Sequence, residues 1–201
     1  MKKVRSVPRV NNNSFYKKAI KKYGATAEGV HWNSEYTQRI RFEVITSLLG
    51  DDIKNATIAD AGCGFGHFYD YLEENAKVPK RYIGLELHDM MIQHAKSRGL
   101  EVYKCDVLRD GLPEVDYYVA SGSLNLLHPF ETHLFIRRML QYAKKGVVFN
   151  MLKGVSTRGN AYNKYEPEKL IEELNLKTEE IQLVEDYLEE SDFTIFISSL
   201  F

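Results

Sequence analysis

The stretch Ile58-Ala59-Asp60-Ala61-Gly62-Cys63-Gly64-Phe65-Gly66-His67-Phe68 reads as a short apolar strand running into a glycine-rich turn and then a helix. Glycines at 62, 64 and 66 let backbone approach a ligand closely. The helix N-terminus behind them offers free N–H groups and a positive dipole end. The turn therefore predicts a ligand site. The dinucleotide fingerprint G-x-G-x-x-G needs its third glycine one position later, and His67 follows Gly66 instead, which counts against a pyrophosphate cofactor.

On both sides of this stretch, short apolar runs alternate with amphipathic segments. The pattern predicts strands over 57–61, 81–86, 101–104, 115–121 and 146–152, with helices over 66–75, 89–98 and 130–143. This is the grammar of an open parallel sheet with helices on both faces. Pro167 starts a further helix through Leu174, and two β-rich runs, Ile181 to Tyr187 and Phe193 to Leu200, follow across a short acidic loop. A parallel crossover needs about a dozen residues, so these two runs must form an antiparallel hairpin. The fold class is α/β, a Rossmann-like mixed sheet. Upstream, Phe15 to Tyr23 reads as a helix closed by Gly24. Ser34 caps a second helix with apolar positions Ile40, Phe42, Ile45, Leu48 and Leu49. Residues 1–50 are expected to form a helical cap or lid on the same domain, with the Rossmann-like part over 51–201.

The glycine turn resembles the first motif of the class I S-adenosylmethionine-dependent methyltransferases, close to acid-x-Gly-x-Gly-x-Gly, and the hairpin-ended sheet is similar to that family's seven-stranded arrangement. The resemblance runs from about Tyr23 to the C-terminus. The ends of the next strands support it. Glu86 closes the second strand 24 positions after Gly62, near the roughly 20-residue spacing of a ribose-binding carboxylate. By resemblance, Asp106 after the third strand accepts from the exocyclic amine of adenine while a neighbouring backbone N–H, at Val107, meets the ring. Ser121, Gly122 and Ser123 after the fourth strand leave space for the sulfonium and the acceptor. The resemblance also implies that Asp60 serves the methionine ammonium, and that Gly62, Cys63, Gly64, Gly66, Phe68, Leu87 and Met91 adjoin the cofactor. From the cap, Arg41 would pair with the methionine carboxylate and Trp32, the only tryptophan, would cover the site. The bland alternatives are an exposed helical arginine and a core tryptophan.

Methyl transfer to a nucleophile needs no metal, and S-adenosylhomocysteine is its product. A base is required only for a protonated acceptor, and His128, with Asn125 in the same loop, is the best-placed candidate. The alternative for His128 is a loop histidine capping the next helix. The acceptor side should combine the cap, the 122–130 loop and the 153–165 loop. The last carries Lys153, Arg158, Tyr162, Asn163 and Tyr165 and would suit an anionic small molecule.

The 201 residues are 44% hydrophobic and 27% charged, as expected of one folded domain. No apolar run reaches membrane-spanning length, and the first residues carry charge without an apolar stretch behind them, so neither a membrane span nor a secretory signal is expected. Cys63 and Cys105 are too few for a disulfide framework, and a reducing cytoplasm fits best. Basic and acidic residues nearly balance at 27 and 28, but residues 1–27 hold eight basic and no acidic ones. Such an arm can attract nucleic acid or simply be a solvated helix face. Methylation of RNA or protein is thus an alternative, although Ser121-Gly122-Ser123-Leu124-Asn125 lacks the Asn-Pro-Pro-aromatic signature of many amino-methylating enzymes and no RNA-binding module is attached. A catalytically silent S-adenosylmethionine-binding regulator is another alternative, and a nicotinamide oxidoreductase a third.

Overall fold

A computed structural model describes residues 13–156, 162–175, 181–185, 187–189 and 191–199. Lys2, Lys3, Arg5 and Arg9 of the basic arm, Arg158 and Leu200 lie outside the described residues.

The central layer comprises β1 (Thr57–Ala61), β2 (Arg81–Glu86), β3 (Val102–Lys104), β4 (Val115–Ser121), β5 (Ala143–Leu152), β6 (Ile181–Val184) and β7 (Asp192–Ser198). They form one sheet in the order β3-β2-β1-β4-β5-β7-β6. Only β7 runs against its neighbours β5 and β6, as the short 181–200 connection requires. The helices are α1 (Asn13–Tyr23), α2 (Glu35–Leu49), α3 (His67–Glu74), α4 (Asp89–Ser97), α5 (Pro129–Tyr142) and α6 (Pro167–Leu174). The expected elements fall within a few residues of these bounds. β5 begins three residues earlier than expected, directly after α5, because Ala143 already pairs with Val115, and β6 ends at Val184 rather than Tyr187.

Period-two alternation along the strands builds two cores. Ala59, Ala61, Tyr118, Ala120, Val147 and Phe149 face Phe135, Ile136 and Met139 of α5 and Leu170 and Leu174 of α6. Ile58, Val119 and Val148 face the other way, onto Phe42, Ile45 and Leu49 of α2 and Phe68, Tyr71 and Leu72 of α3. The expectation that all of residues 1–50 form a cap is met here by a finding of a different kind. Ser34 does cap α2, accepting from Thr37 N–H at 3.2 Å, but α2 then packs into the sheet face as a structural helix. The part lying over the site is α1 with the turn at Glu28–Val30. It rests on the domain through Ile20, which clusters with Phe65 and Met91.

The chain reverses direction across the sheet between β1 and β4. In open α/β sheets, the crevice outside the carboxyl ends of such strands is where ligands bind.

Candidate active site

A cavity of about 580 Å³ opens at that crevice. Its floor is the glycine turn. Gly62 has φ +88°, and a Cβ there would lie 2.5 Å from the Cβ of Ser123, so only glycine lets the turn pass under the β4–α5 loop. Gly62 and Cys63 both donate to the Leu85 carbonyl, at 2.8 and 3.2 Å. Gly64 N–H donates to Glu86 Oε2 at 2.9 Å. These three donors are therefore committed within the protein, two to the neighbouring strand end and one to a carboxylate, and are not presented to a phosphate.

Three buried carboxylates line the cavity: Asp60, Glu86 and Glu131. Asp60 accepts from Tyr82 Oη at 2.6 Å. Burial pushes its carboxyl up to about 7, with the Tyr82 hydroxyl opposing that shift and Glu86 adding to it. Glu86 takes the N–H groups of Leu87 and His88 on Oε1, at 2.7 and 2.9 Å, besides Gly64 on Oε2. The lysine on the wall, Lys104, pairs with Asp89 at 2.8 Å.

The walls collect most of the expected residues. Cys63, Gly64, Phe68, Leu87 and Met91 line the cavity, as do Val107, Ser121, Gly122, Ser123 and Asn125. Phe68 also belongs to the core and meets the Phe42 ring at 5.2 Å. Burial raises the Cys63 thiol well above its ordinary value. Asn125 Oδ1 accepts from Leu152 N–H at 3.2 Å, and the buried Asn150 Oδ1 holds Gly122 N–H at 3.0 Å. Trp32 covers this side: a Cβ on Gly122 would come within 2.6 Å of its indole carbons.

Four expected residues have other positions. Arg41 is buried away from the cavity wall and forms a two-pronged pair with Asp192, Nε to Oδ1 at 2.7 Å and Nη2 to Oδ2 at 2.6 Å. Its guanidinium also lies 4.5 Å from the Trp32 ring centre. Its charge is thus spent inside the protein rather than on a ligand carboxylate. Gly66 is the left-handed residue preceding α3, donating to Cys63 O at 2.9 Å and lying close to Leu100, so it shapes the turn without reaching the cavity. Asp106 accepts from Leu108 N–H at 3.0 Å, capping its own turn, and its flanking residues Cys105 and Val107 make the wall instead. His128 is exposed at the N-cap of α5, where its backbone N–H donates to Glu131 Oε2 at 3.1 Å. It is a helix-start residue that does not line the cavity.

The loop expected to suit an anion is likewise occupied. Lys153 pairs with Glu185 at 2.8 Å, and the Tyr165 hydroxyl meets Thr132 Oγ1 at 2.9 Å inside the core. Tyr162 does reach the cavity. Wall residues that the sequence reading did not place at the site include Tyr16, His67, Glu131 and Phe135. Burial lowers the pKa of the His67 imidazole, which lies 3.4 Å from Ala25 O and 3.3 Å from Gln38 Nε2. For Glu131 a signal did exist, since a helix opening His128-Pro129-Phe130-Glu131 places a carboxylate at the capping-box position.

Among the described residues no group of His, Cys, Asp and Glu is arranged to hold a metal ion, and no helix is long and apolar enough to cross a membrane. S-adenosylmethionine fits what is present: a cradle that only Gly62 permits, carboxylates for a cationic ligand, and no phosphate-binding donors among Gly62, Cys63 and Gly64.

A methyltransferase-domain family profile matches residues 58–146. No curated protein matches the chain significantly. Among solved structures, the chain resembles magnesium protoporphyrin IX methyltransferase of Synechocystis PCC 6803 with bound S-adenosylmethionine, at 12% identity, covering 97% of this chain and 87% of that one with TM-score 0.62. A possible histamine N-methyltransferase of Thermotoga maritima aligns at 14% identity over 94% and 97% of the chains, with TM-score 0.64. An amino pentose methyltransferase of Micromonospora echinaspora, solved with S-adenosylmethionine bound, aligns at 16% identity over 81% and 91%, with TM-score 0.62. Sheet order, glycine turn and family profile agree: residues 58–146 match a methyltransferase domain, and the chain has a Rossmann-like fold.

Proposed function

We propose that the protein methylates a small molecule held between the cap and the β4–α5 loop. The observation that carries this reading is the volume of the site and the aromatic residues that line it. A cavity of about 580 Å³ lies within the range of roughly 300–1,000 Å³ typical of small-molecule sites. It is roofed by Tyr16, Trp32 and Tyr162 from the two ends of the chain. S-adenosylmethionine supplies an electrophilic methyl group on a sulfonium.

The residues of this chain bind and orient. Asp60 receives the ammonium end, Glu86 the ribose hydroxyls, and the small side chains of Ser121 and Ser123 with Gly122 leave room for the acceptor. Asn125, anchored by Leu152, serves as a positioning residue on that side. Trp32 excludes water. Most of the acceleration then comes from alignment, because holding a nucleophile about 3 Å from the methyl group replaces a costly encounter. The carboxylate-lined walls favour a neutral or cationic acceptor over the anionic one suggested by the 153–165 loop.

Calorimetry tests the cofactor half: S-adenosylhomocysteine should bind in the micromolar range and NAD should not. Transfer of labelled methyl groups from S-adenosylmethionine into a cell extract, fractionated by size, tests the acceptor half. Label should appear in the small-molecule fraction. Label in RNA or protein alone would replace this reading with a macromolecular one, and NAD binding tighter than S-adenosylhomocysteine would overturn it.

A further inference from the structure

Arg41 and Asp192 form a buried ion pair that does not line the cavity. All three guanidinium nitrogens are occupied. Nε and Nη2 donate to the two oxygens of Asp192, at 2.7 and 2.6 Å, and Nη1 donates to the Thr37 carbonyl at 2.7 Å. A buried ion pair adds little net stability, because desolvation offsets the attraction. What a two-pronged pair does fix is orientation, since a planar fork on a carboxylate permits one plane. Over that guanidinium lies the Trp32 ring, its centre 4.5 Å away.

Trp32 carries the constraint to the cavity, which it lines. Its indole lies so near the β4–α5 loop that a Cβ on Gly122 would come within 2.6 Å. The loop is anchored as well. Gly122 N–H donates to Asn150 Oδ1 at 3.0 Å, and Asn150 Nδ2 donates to Ser121 Oγ at 3.1 Å. Asn150 is buried on β5, two residues before Leu152, which is the register partner of Asp192 on β7. Both sides of the Trp32–Gly122 contact thus hang from one pair of adjacent strands. The gap between cap and loop is set by that framework, and Asp192 acts on it from outside the cavity.

We propose that Arg41 and Asp192 are positioning residues for methyl transfer: they hold the indole of Trp32 against Gly122 and so fix the wall on which the acceptor aligns. The inference rests on the reading of that space as the acceptor site. Alignment is sensitive to such a device, because a displacement of about 1 Å that originates far from the chemistry can cost about a hundredfold in rate. Lysine separates this role from the ion pair itself. In Arg41→Lys an ammonium can still meet Asp192, but it has neither the fork nor the flat face that supports the indole.

Trp32 is the only tryptophan, so its fluorescence reports on this contact directly. Acrylamide should quench it weakly in the ligand-free wild-type protein and clearly more in Arg41→Lys and Asp192→Asn. Leu174→Ala, in the core on the other face of the sheet, controls for lost stability and should leave quenching as in wild type. At saturating labelled S-adenosylmethionine, transfer into the small-molecule fraction of a cell extract should fall about tenfold or more in Arg41→Lys and Asp192→Asn, but not in Leu174→Ala. Strong quenching in the wild-type protein overturns the inference even if neither variant folds. Unchanged quenching or unchanged transfer in a folded variant also overturns it, and so does a loss that excess cofactor restores in full, which marks a cofactor contact instead. A wild-type protein that neither binds S-adenosylhomocysteine nor transfers label overturns the methyltransferase reading itself, a distinct result.

Discussion

Asp60 shows how burial changes the meaning of a residue that sequence alone marks as acidic. An ordinary aspartate titrates near 3.9, but this one is held near 7 in the folded chain. The folded state therefore keeps its proton where the unfolded state has lost it. Stability contributed by the neutral form falls as pH rises from roughly 4 to 7. The ligand-free melting temperature should decline across that window, and Asp60→Asn, which retains an acceptor for Tyr82, should flatten the decline. Glu86 is held differently, its carboxylate oxygens accepting from three N–H groups around the turn. Glu86→Ala should weaken S-adenosylhomocysteine binding by about 1.5–3 kcal/mol, the scale of hydrogen bonds to a charged group. It should also lower the ligand-free melting temperature, because Gly64, Leu87 and His88 lose their acceptor. A variant with unchanged stability would separate ligand contact from loop support.

At the scale of elements, the cap divides into two parts with different physical jobs. α2 is held by Phe42, Ile45 and Leu49 in the sheet core, whereas α1 and the following turn rest on the small cluster of Ile20, Phe65 and Met91. Removal of residues 1–33 leaves Ser34 and the whole of α2 in place. The truncated protein should melt cooperatively, yet it loses Tyr16, Val30, His31 and Trp32 from the cavity wall. Its affinity for S-adenosylhomocysteine should fall about tenfold or more, a loss of at least 1.4 kcal/mol. In the intact chain the single tryptophan reports on the same element, and its fluorescence should shift on ligand addition. An undiminished affinity after truncation, read by calorimetry, would move the cap out of the binding site.

Across the whole molecule, the buried Arg41–Asp192 pair joins α2 to the first residue of β7, 151 positions away. The same guanidinium stacks on Trp32, so a bond to β7, next to the edge strand β6, also steadies the cavity wall. Removing one partner leaves an uncompensated buried charge, which costs about 3–5 kcal/mol. Asp192→Ala should therefore reduce stability on that scale in urea unfolding. Replacing both partners by apolar residues of similar volume should recover much of the loss, since the pair also carries a desolvation penalty. Ligand affinity should not recover with it, because Trp32 would still lack the stacked arginine.

Strand and helix order, the glycine turn and the strand-end acids were legible in the sequence because each depends on local spacing. A period of two, a period of 3.6, or a glycine at a turn needs only neighbours along the chain. The antiparallel β7 was legible for the same reason, since a short connection permits only a hairpin. Tertiary structure alone decided where long side chains spend their charge. Arg41 had the chemistry to hold a carboxylate and found one, but it belongs to Asp192. Asp106 and His128 occupy the expected loops and turn to cap local backbone. Glu131 caps the start of α5 and also lines the cavity together with Val107 and Phe135. Which partner a charged group meets depends on contacts between residues distant in sequence, and burial then sets the energetic consequence.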